Sequence, residues 1–247
     1  YDISLLNPGS FKFSEGQDMI IGFEGIRGEL VEDTVNVSEP GKLASLVEDS
    51  LYERISKLKV TGQINSTDLR TIRQIAGCSV DGTVVRSSLT DLDLGDAEIV
   101  GGGELYLAGG VRTSAGKKHE IPEKAFYGRR RLHKLVLPKT TTAIGDGALG
   151  GMPRLETVSI PTGEDCDYVF DGQVLMTKDA KEIISVMPYN TDGFTVGKGI
   201  TKIHNYGFSG CSNLTKVILP ATVTDIGDEA FAGASSLAVI RIYAKNV

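Results

Sequence analysis

The sequence predicts a repeat solenoid of α+β composition. Three observations lead there. A pattern of apolar residues recurs at a spacing of 23 residues, each unit holds one short strand, and no motif of a catalytic or metal-binding domain interrupts it.

The repeat is clearest in four places. Ala125-Phe126-Tyr127-Gly128 is followed by Leu132, Leu135 and Leu137-Pro138, then Ile144-Gly145. Ala148-Leu149-Gly150-Gly151 starts the same series 23 residues on, with Leu155, Val158 and Ile160-Pro161. Gly207-Phe208-Ser209-Gly210 and Ala230-Phe231-Ala232-Gly233 are again 23 residues apart, with Leu214, Val217, Leu219-Pro220 after the first and Leu237, Ile240, Ile242 after the second. In L-x-x-L-x-L the last two apolar residues alternate, so they share one face of a strand. The proline that follows has no N–H to give and ends the strand. Ile-Gly begins the return path, and the Ala-Phe pair fills the back of the coil. Stacked coils bury a core that no single unit could bury.

From Ala148 to Gly207 the spacing is 59 residues, one period plus 36. The excess, near 167–190, has the pattern of an inserted β-meander. Tyr168-Val169-Phe170, the turn pair Asp171-Gly172, Val174-Leu175-Met176, a second turn at Lys178-Asp179 and Ile183-Ile184-Ser185-Val186 follow one another. Phe194-Thr195-Val196 and Ile200-Thr201-Lys202-Ile203 resume the solenoid.

Upstream the repeat degenerates. Leu89-Thr90-Asp91-Leu92-Asp93-Leu94 and Leu58-Lys59-Val60 supply earlier strands. Residues 66–76 place Leu69, Ile72, Ile75 and Ala76 on one helical face, with Gly77 as the stop. A second helix is expected over 41–55, with Leu43, Leu46, Val47, Leu51 and Ile55 as its stripe. Three regions result: strands over 1–36 (Phe11-Lys12-Phe13, Met19-Ile20-Ile21, Val35-Asn36-Val37) as a cap extension or the end of a preceding module; two helices, degenerate repeats and a long loop over 37–120; and the regular repeats over 121–247.

The chain has 247 residues and a net charge of −6. Residues 1–56 hold 11 acidic and 4 basic side chains, whereas 121–247 hold 13 and 14. The repeats are therefore neutral, and without a basic stripe no nucleic-acid partner is expected. Trp is absent, so no indole platform for sugars exists. No apolar run is long enough to span a membrane. Cys78, Cys166 and Cys211 lack zinc spacing, and three free, buried, inert thiols are expected.

The stretch Gly207 to Pro220, with Cys211 after Gly210, resembles the BspA-like leucine-rich repeat family. Val169 to Asp179, running on to Met187-Pro188, is similar to an elaborated unit of such arrays, and Val37 to Leu94 resembles the leading segment of many members. Leu149 departs from the usual Phe, and Ala234 and Pro153 stand where Cys or a polar residue is common. The resemblance implies a right-handed leucine-rich-repeat array with a parallel sheet on its concave side. It also implies a bacterial protein that is exported or held at the surface, by a lipid anchor upstream of residue 1 among other means, and that takes part in adhesion.

The outward positions of the concave strands are the candidate binding residues: Lys59, Asp93, Lys134, Val136, Thr157, Ser159, Lys216, Ile218, Val239 and Arg241. A protein or glycan on a host or neighbouring cell is the expected partner. No cofactor, metal or catalytic residue is expected. Asp91, Asp93, Asp96 and Glu98 are dense enough to suggest calcium, but Leu94 and Gly95 break the register of a calcium loop. Gly101-Gly102-Gly103 lacks the Lys and Ser or Thr of a phosphate cradle. Arg129-Arg130-Arg131 has the look of a solvated turn. His119, His133 and His204 fall in different coils without motif partners. A spacer, or an enzyme-associated subunit with a site in the 99–120 loop (Tyr106, Arg112, Lys117, Lys118, His119), is the competing reading. Since a repeat strand directly precedes Lys245-Asn246-Val247, the last coil is expected to be followed by more chain or to pack end to end.

Overall fold

The computed structural model describes residues 28–79, 83–104, 116–189 and 192–243. The strands proposed at 11–13 and 19–21, with Tyr106 and Arg112 of the long loop, lie outside these residues. What is described is a β-solenoid with parallel ladders and few helices.

Strand β1 (Val31–Val37) leads into helix α1 (Leu43–Leu46) and a single 3₁₀ turn (Asp49–Leu51), then strand β2 (Ile55–Ile64) and helix α2 (Ser66–Ile75). The helix expected over 41–55 is thus broken. Val47 and Glu48 are extended, Leu46 is 50% exposed, and Ile55 belongs to a strand. The apolar spacing was helical, but the sheet claims Ile55 and buries it completely. The fully buried Asp68 carboxylate accepts the N–H groups of Gly41 (2.6 Å), Leu43 (2.9 Å) and Asn65 (2.9 Å), which fixes the start of α1 against the N-terminus of α2. Asn65 caps α2 in return by accepting from Thr67 N–H. The helix ends before Gly77 as expected, with Leu69, Ile72, Ile75 and Ala76 all buried.

Downstream come β3 (Asp91–Asp93), β4 (Ala97–Ile99), β5 (Glu120–Ile121), β6 (Lys134–Val136), β7 (Ala143–Ile144) and β8 (Thr157–Ser159). The inserted strands are β9 (Tyr168–Phe170), β10 (Val174–Thr177) and β11 (Glu182–Val186). The regular array resumes with β12 (Gly193–Thr195), β13 (Lys202–Ile203), β14 (Lys216–Leu219), β15 (Asp225–Ile226) and β16 (Val239–Ile242).

The L-x-x-L-x-L strands stack in parallel as β1-β2-β3-β6-β8 and, after the insertion, as β12-β14-β16. The short return strands form other ladders, β5-β7 and β13-β15, and the meander strand β11 pairs with the second of these. The Ala-Phe-x-Gly turns make a continuous backbone column: Phe126 N–H donates to Ala148 O, Gly151 to Ser209 O and Phe208 to Ala230 O. The insertion therefore does not interrupt the turns.

The meander is antiparallel, β9-β10-β11, as the Asp-Gly turn indicated. Successive side chains of a strand point to opposite faces. Here the two faces serve two cores, and a bulge in β11 opposite Leu175 and Met176 shifts the alternation so that Ile184 and Val186 part. Leu175, Ile184 and Met187 join the core that runs from Val35 through Phe126 to Met152. Val174, Ile183 and Val186 join the core of Ile203, Phe208 and Val217. The insertion is thus a wall between two apolar clusters. At the far end, Ile240 and Ile242 stand in register with the buried Val217 and Leu219 but are 45% and 64% exposed.

Candidate functional site

Register places the candidate residues in two groups. In the first ladder one outward row runs Thr34, Lys59, Asp93, Val136, Ser159, and the next runs Glu32, Lys57, Asp91, Lys134, Thr157. Six of the ten candidates therefore lie on one face within five strands. In the second ladder Lys216 aligns with Val239, and Thr195, Ile218 and Arg241 form the neighbouring row. The two groups are not joined by strand pairing, because β8 and β12 do not bond to each other.

Lys134, Thr157, Ser159, Val239 and Arg241 are exposed, while Lys59, Asp93, Val136, Lys216 and Ile218 are half-buried. Glu32, Thr34, Lys57 and Asp91 share the face and were not among the candidates. Period-two alternation from Lys59 and Asp93 would have found Lys57 and Asp91. For β1 the signal was only the alternation of Val35 and Val37. A shallow trough of about 240 Å³ lies here, lined by Glu32, Thr34, Lys57, Asp91, Asp93 and Lys134 among others.

Charge alternates across the strands: Glu32, Lys57, Asp91, Lys134. Lys57 Nζ is 2.7 Å from Glu32 Oε1, and that bond raises the lysine's pKa. Lys59 is paired 2.7 Å from Asp96, which also holds Lys139 at 2.7 Å. Hydrogen bonds from Lys139 and then Lys59 pull the Asp96 carboxyl down to about 2. Glu98 is likewise held at about 2, first by His119, then by Lys118 and Gln63. The acidic patch from Asp91 to Glu98 is thus knit to cations. No group of three or more His, Cys, Asp or Glu side chains suited to a metal occurs among the described residues.

The glycine run 101–103 covers the start of α2. Gly102 O accepts the Ser66 N–H, and a Cβ on Gly103 would stand 2.7 Å from Asn65 Oδ1, so the backbone itself occupies the helix terminus. The arginine run is not a uniformly solvated turn. Arg130 and Arg131 are exposed, but Arg129 is 6% exposed, with Nε donating to Tyr127 O and Nη1 to Arg73 O. Burial, then the Arg73 charge, lowers its pKa. Arg73 is itself buried, donating Nη1 to Lys124 O and Ala125 O. A residue 56 positions away supplies the partner, which no local pattern announces.

The three histidines all meet carboxylates: His119 meets Glu98, His133 meets Glu156, and His204 meets both Asp146 and Glu182. All three cysteines are free and buried, as expected. No helix among the described residues is long and apolar enough to cross a membrane.

Fold and repeat together define a leucine-rich-repeat solenoid. Residues 116–173 and 188–247 match the BspA type leucine rich repeat region, in six copies, and this repeat array belongs to that family. The unmatched gap, 174–187, is the central part of the meander, β10 and β11. No curated protein matches the chain. Among solved structures, a leucine rich cell surface protein of Faecalibacterium prausnitzii is similar at 21% identity and a TM-score of 0.45, over 81% of this chain and 48% of that one. A leucine-rich repeat protein of Eubacterium ventriosum gives 18% and 0.43, over 78% and 62%. The pneumococcal vaccine antigen PcpA gives 19% and 0.46, over 76% and 39%. The chain thus spans between about two fifths and three fifths of these proteins' lengths.

Proposed function

We propose that this chain is a non-catalytic recognition module, secreted or held at a bacterial surface, that binds a protein or glycan partner across its strand face. The observation that supports this most is the outward rows themselves. They put Lys59, Asp93, Lys134, Val136, Thr157 and Ser159 on one rigid parallel ladder, with Lys216, Ile218, Val239 and Arg241 on the next. Contiguous strands hold such side chains at fixed spacing with little entropy left to lose on binding. The rows carry both signs of charge and no aromatic ring. That favours a partner of mixed charge bound through many modest contacts over a polyanion or a stacked sugar.

The purified chain, screened against glycan and extracellular-matrix protein arrays beside a Lys134→Glu/Lys216→Glu/Arg241→Glu triple variant, tests this. A hit that the variant loses supports recognition by the strand face. A hit that the variant keeps moves recognition elsewhere on the chain. No hit shifts weight to the spacer reading, which the mutual pairing of Lys57 with Glu32 and of Lys59 with Asp96 favours.

A further inference from the structure

His204 stands at the place in its coil that Gly145 and Gly227 hold in theirs. Those glycines are demanded by contact. A Cβ on Gly145 would be 2.6 Å from Glu123 N, and one on Gly227 would be 2.5 Å from Asn205 N, both in the preceding coil. Before His204 there is no such corner, because the meander has replaced that part of the coil. Position 204 carries an imidazole instead.

The ring spans the junction. Nδ1 lies 2.8 Å from Asp146 Oδ1, in the coil before the insertion. Nε2 lies 2.7 Å from Glu182 Oε2, at the start of β11. His204 N–H donates to Ile183 O, and Val186 N–H to Gly207 O, so strand and coil are already side by side. Asn205 Nδ2 donates to the other Asp146 oxygen at 3.2 Å. One side chain thus touches the coil that closes the first core, the wall, and the coil that opens the second.

Each nitrogen faces a carboxylate oxygen, and only the imidazolium can donate from both. A neutral ring would turn a lone pair toward one carboxylate. The bond to Asp146, then that to Glu182, raises the histidine's pKa against the opposing effect of burial. The neighbouring cations are engaged elsewhere: Lys202 with Asp225 (3.4 Å), Lys181 with Asp179 (3.9 Å), and Lys124 over the Tyr206 ring (4.5 Å). The next coil adds Asp228, whose N–H bonds Asn205, and Glu229, which accepts from the Tyr206 hydroxyl.

We propose that His204 is a proton-dependent clasp that couples the two halves of the solenoid through Asp146 and Glu182. The unfolded chain protonates this ring near 6.5, and the folded chain does so at higher pH. The clasp therefore contributes fully below about 6.5 and is lost as pH rises through the folded value. The junction is tightest in mild acid and loosens toward alkaline pH.

The test is ring titration of His204 by NMR, with amide exchange at Val186 and Phe208 corrected for intrinsic rates, in the full chain and in His204→Gln. The expected result is titration above 6.5 and protection that falls between pH 6 and 9 by up to about ten-fold for each unit of pKa elevation. In His204→Gln the fall is absent, and the Phe126 amide, in the first core, changes in neither protein. Glu182→Gln keeps the ring and lowers its titration point. Titration at or below 6.5, or the same pH profile at Val186 in both proteins, overturns the clasp.

Discussion

Tyr206 lies across Gly147 so closely that a Cβ there would stand 2.8 Å from Tyr206 Cδ2. Both residues occupy the same corner of successive turn columns, as do Lys124 and Glu229. All four have left-handed backbone, with φ of 57° (Lys124), 65° (Gly147), 64° (Tyr206) and 51° (Glu229). Three coils bear the steric cost of a side chain in that conformation. The gain is a stacked column: Lys124 Nζ sits 4.5 Å from the Tyr206 ring centre, and Tyr127 meets the same ring edge-on at 5.0 Å. The column crosses the insertion only because Gly147 leaves room. Gly147→Ala should combine left-handed strain with a clash and lower stability by about 2 kcal/mol. Urea unfolding measures it. Tyr206→Ala in the same chain should relieve the clash but not the strain, so a fully additive loss in the double variant would refute this account of the corner.

The wall between the cores predicts two separable responses to truncation. Phe126 and Phe208 are both fully buried, one in each cluster. Phe208 contacts Phe194 and Phe231 at 5.2 and 5.1 Å. Either Phe→Ala change should cost about 3–5 kcal/mol locally. Phe208→Ala should raise amide exchange over 192–243 far more than over 28–170, since coils contact only their neighbours. Equal acceleration in both regions would mean that the meander does not partition the fold.

Two carboxyls should resist acid. Asp96 is held at about 2 by Lys139 and Lys59, and Glu98 at about 2 by His119, Lys118 and Gln63. In the unfolded chain such groups titrate near 4. A depressed folded value means stability that is present above about 4 and lost as pH falls toward 2. Carbon-detected NMR should find both midpoints well below 4, and Asp96→Asn should flatten the acid limb of the stability curve. Half-molar salt should weaken both effects, because the pairs are solvent-exposed. Midpoints near 4 in low salt would show that these lysines are not bound in solution.

How much of this was legible in the sequence follows from range. The L-x-x-L-x-L strands, the Asp171-Gly172 hairpin and the α2 helix rest on local periodicity and were visible, whereas the two-residue strands Glu120–Ile121 and Ala143–Ile144 carry no strand-length pattern. The helix over 41–55 failed because Leu43, Leu46, Val47, Leu51 and Ile55 satisfy a helical spacing that the sheet overrides at Ile55. The arginine run shows no partner locally because the acceptor of Arg129, Arg73 O, lies 56 residues away. His204 shows no motif partner for the same reason, with Asp146 and Glu182 at 58 and 22 residues. Of the candidate face, the outward alternation was readable within each strand, whereas the grouping into two ladders arises because no strand pairing joins β8 to β12 across the insertion.

The cysteines offer an internal reporter of that division. Cys166 belongs to the first core and Cys211 to the second, at 5% and 0% exposure. Cys211 Sγ donates to Val186 O on the wall (3.6 Å), and burial pushes its thiol up to about 12. Only a thiolate attacks a disulfide reagent at a useful rate, so the folded protein should be inert and the unfolded one should titrate three thiols. Modification must then proceed through opening, and its rate reports the opening of each core. Phe208→Ala should accelerate Cys211 at least ten-fold while leaving Cys166 close to its original rate. Peptide mapping of the labelled protein distinguishes the two sites. Parallel acceleration at Cys166 would show that the cores open as one unit, and that the wall transmits rather than contains unfolding.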